Sequence, residues 1–278
     1  MTRLVLLGTD GGPRPKPHRA APANLVEHEG QLFVIDCGNG VARQAVRAGY
    51  ELRQLRATFI THHHSDHNAD YGNLLLLAWA AGLSTNVDTY GPPPLAAMTH
   101  HYLAMNATDI DIRVTDEGRP PLGPLITPHE VDAPGIVYDD GALRVTATLV
   151  NHPPVVPALA YRFDTPQRSI VFSGDTVYSP ALVDLAKGAD VLVHEVMHTP
   201  ALWQATQDTN GATLTEHLLA SHTPTDLAGR VAQEAGVSTL VLTHFVPGDE
   251  GVPKETWQKE AQRTFHGKVV VGHDLLSL

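Results

Sequence analysis

The segment at positions 61–67, T-H-H-H-S-D-H, holds four imidazoles and one carboxylate within seven residues, directly after a short β-branched run. In an extended chain, side chains two positions apart lie on the same side, so His62 and His64 converge while the histidine between them points away. Asp66 and His67 fall where the chain turns into a predicted helix, from which they reach a second ion. The spacing H-x-H-x-D-H therefore predicts a two-metal site rather than a solvated polar loop.

Three further candidate ligands follow apolar runs later in the chain: His152, Asp175 and His244. Each one alone is more typical of a polar residue at the end of a strand than of a metal ligand. Together with the first segment they complete a set of imidazoles and carboxylates. Such a set suits Zn²⁺, with Mn²⁺ or Fe²⁺ as alternatives.

The elements that must position these residues are short strands alternating with amphipathic helices. The apolar runs predict strands at 4–7, 32–35, 58–60, 143–150, 169–172, 191–193, 240–242 and 268–271. The amphipathic stretches, most of them followed by glycine, predict helices at 39–48, 68–81, 93–107, 179–187, 224–235 and 254–265. Residues 117–134 are rich in Pro and Gly and are interpreted as a loop rather than a domain linker, because the alternation resumes after them. A single domain, 1–278, is predicted.

Composition narrows the classes of protein. The 278 residues carry 30 Asp plus Glu against 19 Lys plus Arg, which gives a net charge of −11, and 42% of them are apolar. This is a globular composition, and its acidity argues against a broad phosphate-binding surface. No apolar run approaches the roughly 20 residues that span a bilayer, and the N-terminus lacks a secretory pattern, so a cytoplasmic protein without a membrane partner is predicted. A single cysteine, Cys37, excludes a zinc site made of cysteines.

A second histidine motif, H-E-V-M-H at 194–198, matches the H-E-x-x-H pattern of zinc peptidases. That pattern requires a helix, but here it follows the β-branched run 191–193. On a strand its two histidines would lie about 13 Å apart, too far to share one ion. The motif is interpreted as a strand end.

Features outside these motifs are assigned more ordinary roles. Residues 197–220 are interpreted as a lid with a short helix, in which Trp203 is expected to staple the segment rather than to stack on a substrate ring. Four histidines are interpreted as surface residues: His18, His100, His101 and His217.

Together the motifs resemble the metallo-β-lactamase superfamily, and within it the ribonuclease Z and arylsulfatase-like branch. The likeness covers nearly the whole chain and rests on H-x-H-x-D-H together with Leu7-Gly8-Thr9, Asp36-Cys37-Gly38, Tyr90-Gly91-Pro92, Ser173-Gly174-Asp175-Thr176, His194-Glu195, Ser221-His222-Thr223 and Thr243-His244-Phe245. It implies an α/β fold, the αββα sandwich, in which two mixed β-sheets pack face to face with helices outside. It also implies a metal site at one sheet edge.

The resemblance further implies how the ligands divide. The first ion would be held by His62, His64 and His152, the second by Asp66, His67 and His244, and Asp175 would bridge both. Two Zn²⁺ ions that share a water lower its pKa, so that a metal-bridging hydroxide attacks the bound ester.

Three residues are assigned catalytic roles on this template. Asp66 would orient the hydroxide, His222 would donate a proton to the leaving group, and Glu195 would fix the tautomer of His222. From the residues alone, a hydrogen bond at the start of a helix explains His222 equally well, and the resemblance favours catalysis.

The substrate class is inferred from a departure from ribonuclease Z. Those proteins usually carry a long Gly- and Pro-rich arm that grips tRNA, but here only 23 positions separate His152 from Asp175, with room for a strand pair. Together with the acidic charge, this predicts a hydrolase of small esters, aryl sulfate or phosphodiester ahead of lactone or carboxylic ester, and no nucleic-acid partner. The alternatives are a tRNA 3′-end processing endoribonuclease and a non-catalytic metal-binding regulator. A homodimer is expected from the resemblance.

Overall fold

The computed structural model describes residues 1–207, 209–248 and 251–278, and within these ranges it contains two seven-stranded sheets. The first sheet has the order β14-β1-β2-β3-β4-β5-β6 and consists of β1 (Thr2–Gly8), β2 (Ala23–His28), β3 (Gln31–Ile35), β4 (Leu55–Phe59), β5 (Val87–Gly91), β6 (Ile126–Glu130) and β14 (Leu276–Ser277). Strands β14, β1, β2 and β3 pair antiparallel, whereas β3 to β6 run parallel. The carboxyl ends of β3 to β6 therefore meet at one edge.

The second sheet has a similar division into antiparallel and parallel halves. Its order is β13-β12-β11-β10-β9-β8-β7, and it consists of β7 (Gly135–Asp139), β8 (Arg144–His152), β9 (Val155–Asp164), β10 (Ser169–Phe172), β11 (Val191–Met197), β12 (Thr239–Val246) and β13 (Lys268–Val271). Strands β7 to β10 pair antiparallel, and β10 to β13 run parallel. The last residues of β10, β11 and β12 thus lie at a common edge with the β8–β9 turn.

The helices connect and cover the sheets. They are α1 (Val41–Arg47), α2 (Ser65–Asn68), α3 (Tyr71–Ala80), α4 (Leu95–Met105), α5 (Ala107–Glu117), α6 (Pro180–Ala186), α7 (Thr199–Thr206), α8 (Leu214–Ser221), α9 (Thr225–Ala235) and α10 (Lys254–Ala261). Short 3₁₀ turns lie at Leu52–Gln54 and Gly123–Leu125. Within the described ranges, every helix falls short of the length and apolar character needed to cross a bilayer.

Three apolar layers hold the sheets and helices together. Between the sheets, the Phe59 ring packs edge-on against Phe163 at 5.0 Å and Tyr161 at 5.5 Å between centroids. The outer face of the first sheet packs on α1 and α3, where Trp79 is fully buried, and that of the second packs on α6, α9 and α10. Burial of such side chains is the main favourable term in folding. This layering confirms the predicted αββα sandwich of two mixed sheets with helices outside.

The predicted elements omit helix α5 and strands β2, β5, β7 and β14, and they also fail between residues 117 and 134. Interpreting that whole stretch as a loop is wrong, because Ile126–Glu130 forms β6 and pairs in parallel with β5. Strand β6 lies at the edge of its sheet, where a proline such as Pro128 is tolerated, and this proline obscures the strand pattern.

Candidate metal centre

The predicted metal ligands lie at the sandwich edge where the parallel strands of both sheets end. The first sheet supplies His62, His64, Asp66 and His67 from the loop after β4 and from α2. The second sheet supplies His152 at the end of β8, Asp175 three residues after β10, and His244 within β12. The ligands therefore converge from two sheets that pack face to face.

One group of ligands contains three imidazoles, and we call it the first group. His62 Nε2 and His152 Nε2 each lie 3.1 Å from His64 Nδ1. Asp175 Oδ2 lies 3.7 Å from His62 Nε2 and 3.9 Å from His152 Nε2. Two ligands bound to one zinc ion in a tetrahedron are about 3.3 Å apart, so these four atoms are spaced as one ion requires.

The second group surrounds the other side of Asp175. Its Oδ2 atom lies 3.2 Å from both His67 Nε2 and His244 Nε2. Asp66 Oδ2 lies 3.5 Å from the same two nitrogens. Each group has four possible ligand atoms within 4.8 Å of one another, and Asp175 belongs to both.

Unpaired buried atoms show that these residues fit a metal rather than a closed hydrogen-bond network. His67 Nε2, His244 Nε2 and Asp175 Oδ1 are buried and have no hydrogen-bond partner. A buried polar atom without a partner costs about 1–3 kcal/mol, whereas a coordinated cation satisfies it. The donor set and these atoms both match an ion at each group.

Asp36 orients two of the imidazoles. It adopts the left-handed conformation, with φ 60°, directly after β3. Its carboxylate accepts hydrogen bonds from His67 Nδ1 and from the backbone N–H of Thr61, each at 2.8 Å. The Thr61 hydroxyl also donates to Asp36 and can therefore accept from His62 Nδ1, 3.0 Å away. Both Nε2 atoms are thereby left to face an ion, as ligating histidines require.

From the sequence, Asp36 is placed in the motif Asp36-Cys37-Gly38 but is assigned no role. The usable signal is its place directly after β3, the parallel neighbour of β4, whose end carries the histidine segment.

Backbone groups position two other ligands. His152 Nδ1 donates to the carbonyl of Ser221, the last residue of α8, at 2.9 Å. The Gly12 N–H donates to Asp66 Oδ2 at 3.1 Å. The end of α8 and the loop after β1 thus fix ligands of both groups.

The imidazoles of the first group are neutral at pH 7. Burial lowers the pKa of His64 to about 4, with a further contribution from the neighbouring His152. Burial likewise lowers the pKa of His152 to about 4 and that of His62 well below its usual value. Neutral imidazole is the form that binds metal.

The imidazoles of the second group behave in the opposite way. Burial opposes charge on His244, but the carboxylates of Asp175 and Asp66 outweigh it and raise its pKa to about 9. For His67, the carboxylates of Asp175, Asp36 and Asp66 likewise outweigh burial and raise the pKa well above its usual value. Without an ion, this group holds protons that a cation must displace.

His222 and Glu195 form a buried pair beside both groups. His222 Nδ1 lies 2.8 Å from Glu195 Oε2, and the backbone N–H of Thr176 donates to Glu195 Oε1 at 2.8 Å. Burial raises the pKa of Glu195 and lowers that of His222 to about 4. Both shifts favour a neutral acid that donates to Nδ1, which leaves Nε2 of His222 as an N–H donor.

Comparison with known proteins identifies the family. The family model described as the beta-lactamase superfamily domain matches residues 32–245, more than half of the chain. This chain belongs to the β-lactamase superfamily. Among solved structures, the metallo-beta-lactamase fold protein YhfI from Bacillus subtilis aligns with a TM-score of 0.71 and 23% identity, covering 100% of this chain and 98% of that one. Human tRNase Z, short form, aligns with a TM-score of 0.73 and 21% identity, covering 99% and 98%.

Relatives with a higher sequence identity than these structures include proteins named Ribonuclease Z. The protein named Ribonuclease Z from Mycobacterium bovis (strain BCG / Pasteur 1173P2) is 34% identical over 278 residues, covering 99% of this chain and 97% of the relative. The protein of the same name from Mycobacterium avium (strain 104) is 34% identical over 282 residues, with the same coverages.

These relatives overturn two predictions, the small-ester substrate and the exclusion of nucleic acid. The missing arm does not separate this chain from proteins named Ribonuclease Z, because an alignment covering 97% of such a relative leaves it no room for a long insertion. The net charge misleads as well, since it counts buried carboxylates such as Asp36, Asp66 and Asp175, which contact the imidazole of His67 rather than form the outer surface.

A cleft of about 380 Å³ opens over both ligand groups. The loop at Gly11 and Gly12 lines one wall together with Arg14 and Lys16, and α7 and α8 line another. Arg14 Nη2 donates to the carbonyl of Ala205 on α7 at 3.3 Å and so joins the two walls. The centre is therefore enclosed on one side by basic residues.

His217 is a cleft residue that sequence reasoning missed. The interpretation of His217 as a surface residue is wrong, because it lies on α8 and lines the cleft. Its four-residue spacing from Ser221, which precedes His222, is the only sequence signal that could have placed it there.

The two remaining sequence interpretations have different outcomes. Residues 194–197 lie in β11, so the H-E-x-x-H pattern ends a strand, as predicted, and does not form the helix that a zinc peptidase requires. The segment 197–220 does form a wall of the cleft, although Asp208 lies outside the described residues. Trp203 is 70% exposed, so the expectation that it staples this segment is wrong.

Proposed function

We propose that this protein is a metal-dependent endoribonuclease that processes the 3′ end of precursor tRNA. The observation that carries the substrate class is the 34% identity to proteins named Ribonuclease Z over 99% of the chain. The chemistry is supported by the site, in which two metal-ligand groups share Asp175 beside a buried His–Glu pair.

The ligand groups suit two zinc ions, with Mn²⁺ or Fe²⁺ as alternatives. His62, His64 and His152 would hold one ion, Asp66, His67 and His244 the other, and Asp175 both. When bound, two such ions supply Lewis acidity toward a phosphodiester and make water a stronger nucleophile.

The residues around the ions divide the remaining tasks. Asp66, fixed by the Gly12 N–H, orients the attacking water. Hydrolysis adds the oxygen of water to phosphorus and breaks the bond from phosphorus to the ribose 3′ oxygen, which takes the Nε2 proton of His222 as the Glu195 acid passes its own proton to Nδ1. Glu195 holds His222 in the tautomer that carries this proton.

Two cationic residues at the cleft account for binding to a polyanion despite the net charge. Arg14 and Lys16 line the cleft beside the metal centre. Lys and Arg side chains that neutralise phosphates provide most of the affinity for nucleic acid, and their effect depends on local position rather than on net charge.

Both sheets contribute ligands to each group, so neither sheet forms the site by itself. We therefore infer that residues 1–278 act as one domain.

The test is cleavage of a precursor tRNA by purified, zinc-loaded protein, with bis-p-nitrophenyl phosphate and an aryl sulfate as comparison substrates. The expected result is endonucleolytic release of the 3′ trailer at a kcat/KM at least 100-fold above that for either small ester. The Leu219→Ala variant, changed at an exposed position on α8, should behave as wild type. A fully metal-loaded protein that cleaves the small esters but leaves the precursor intact contradicts the proposal.

A further inference from the structure

His217 lies above the first group of metal ligands without belonging to it. Its ring centroid is 6.2 Å from that of His64 and 6.4 Å from that of His152. It is partly buried and lines the cleft that also exposes His222. Any substrate held between the ions and His222 therefore passes this imidazole.

A short chain of hydrogen bonds fixes the tautomer of His217. The hydroxyl of Ser221 donates its single proton to the carbonyl of Pro153 at 2.5 Å. The 3.3 Å contact between the same hydroxyl oxygen and His217 Nδ1 must then be a donation from the Nδ1–H. This arrangement leaves Nε2 of His217 with a lone pair, as an acceptor.

Because Nε2 of His217 is a hydrogen-bond acceptor, it favours a substrate that has a hydrogen-bond donor nearby. Phosphate oxygens and the released 3′ oxygen are themselves acceptors and gain nothing from a lone pair. The donor that RNA carries beside the 3′ oxygen is the 2′ hydroxyl, on the neighbouring carbon of the same ribose, and DNA lacks it. The rings of His222 and His217 both lie against His152, at 5.1 and 6.4 Å between centroids, so a ribose whose 3′ oxygen is protonated by His222 brings its 2′ hydroxyl towards His217.

We propose that Nε2 of His217 accepts a hydrogen bond from the 2′ hydroxyl of the nucleotide on the 5′ side of the cleaved phosphate. His217 is then the residue that selects ribose over deoxyribose at the cut. This inference rests on the proposed endoribonuclease function and goes beyond it by assigning the sugar specificity to one side chain.

The experiment is a double-mutant cycle between the protein and its substrate. Wild type, His217→Ala and His217→Gln are assayed on a precursor tRNA and on the same precursor with a single 2′-deoxy nucleotide immediately 5′ of the cut. Leu219→Ala on the same helix is the matched control, and zinc content is measured for every variant. A second deoxy substitution several nucleotides upstream controls for general effects of the modification.

The expected result is that the effects of the His217 substitution and of the 2′-deoxy substitution depend on each other. The deoxy substitution should lower kcat/KM of wild type and of Leu219→Ala by about 3- to 10-fold, as loss of one hydrogen bond implies. In His217→Ala it should have no effect, and His217→Gln, whose amide oxygen can accept, should restore part of the discrimination. Zinc content should be equal in all variants.

Two outcomes distinguish a failure of the His217 contact from a failure of the proposed endoribonuclease function. If the losses from His217→Ala and from the deoxy substitution simply multiply, His217 does not contact that hydroxyl and the inference is overturned, although the endoribonuclease remains. If wild type leaves the all-RNA precursor uncut, the proposed function itself is wrong.

Discussion

The two ligand groups share Asp175 and differ in almost every other respect. In the first group His64 is only partly buried and faces the cleft, whereas Asp66, His67 and His244 of the second group are all buried. The pKa values of His64 and His152 in the first group are about 4 and that of His62 is well below its usual value, while the pKa of His244 is about 9.

The difference follows from where the carboxylates lie. Asp36 and Asp66 contact His67, and Asp66 also contacts His244, whereas in the first group Asp175 is the one carboxylate among the described residues within 4 Å of the nitrogens. The imidazoles of the first group are thus neutral without a metal ion, whereas those of the second carry positive charge from protons that a metal ion would replace. Both groups border the cleft, the first through His64 and the second through Asp66 and His244, so they differ in charge compensation rather than in access.

The residue common to both groups provides the strongest test of this contrast. Replacing Asp175 by Ala should lower activity by at least about 1,000-fold and reduce metal binding in both groups, because it removes a shared ligand. Metal analysis after dialysis and a precursor cleavage assay measure the two effects. Two tightly retained ions in the variant would show that the groups are independent.

His222 lies between the groups, with ring centroids 5.1 Å from His152 and 5.5 Å from His244, yet we assign it to neither. The His222→Ala variant should lose about 100- to 1,000-fold in kcat, the usual contribution of a general acid, with metal content unchanged. The loss should shrink for a diester with a nitrophenol leaving group, which departs without a proton. A variant that has lost a metal ion would place His222 among the ligands.

Asp36 should distinguish the groups because it contacts His67 directly and His62 only through Thr61. The Asp36→Asn variant should weaken the binding of one ion by about 10- to 100-fold and the other much less. Asp274→Asn is the matched control, since its carboxylate also accepts from a backbone N–H and a hydroxyl but contacts no ligand. Competition with a chromophoric chelator gives both affinities, and equal losses would argue against the separation described here.

The pH dependence of metal binding should be the smallest effect that separates the groups. A raised pKa means that His244 keeps its proton below about 9, so an ion in the second group must displace it, and its affinity should rise about tenfold per pH unit per displaced proton between pH 6 and 9. The first group, whose three imidazoles all have lowered pKa values, should bind with little change over that range. Isothermal titration in buffers of different ionisation enthalpy counts the protons released, and equal counts for the two ions would contradict this assignment.

The local ligand segment was predictable because its geometry is set within a few residues. A strand followed at once by a helix brings His62, His64, Asp66 and His67 to one place whatever the rest of the chain does. The αββα layering followed from the alternation of strands and helices together with the resemblance. Strand β6 was not predicted because it contains a proline, which an edge strand tolerates and which interrupts the residue pattern typical of a strand.

The substrate class was predicted wrongly because both arguments for a small ester rest on properties of the whole chain. The absence of an arm and the charge of −11 describe the whole chain. Binding at a cleft depends instead on the groups that line it, which here include Arg14 and Lys16 as well as the carboxylates of Asp66 and Asp175.

The sequence by itself determined which residues can hold metal, since imidazoles and carboxylates at strand ends have few other reasons to recur. Only the tertiary structure decided that Asp175 lies between two groups, that Asp36 reaches across from the neighbouring strand, and that His217 faces the cleft. Each of these depends on contacts between distant segments, such as the bond from Ser221 to Pro153 across 68 positions. Periodicity and spacing report only on near neighbours in the chain, so such long-range contacts become visible only when the sheets and helices have packed.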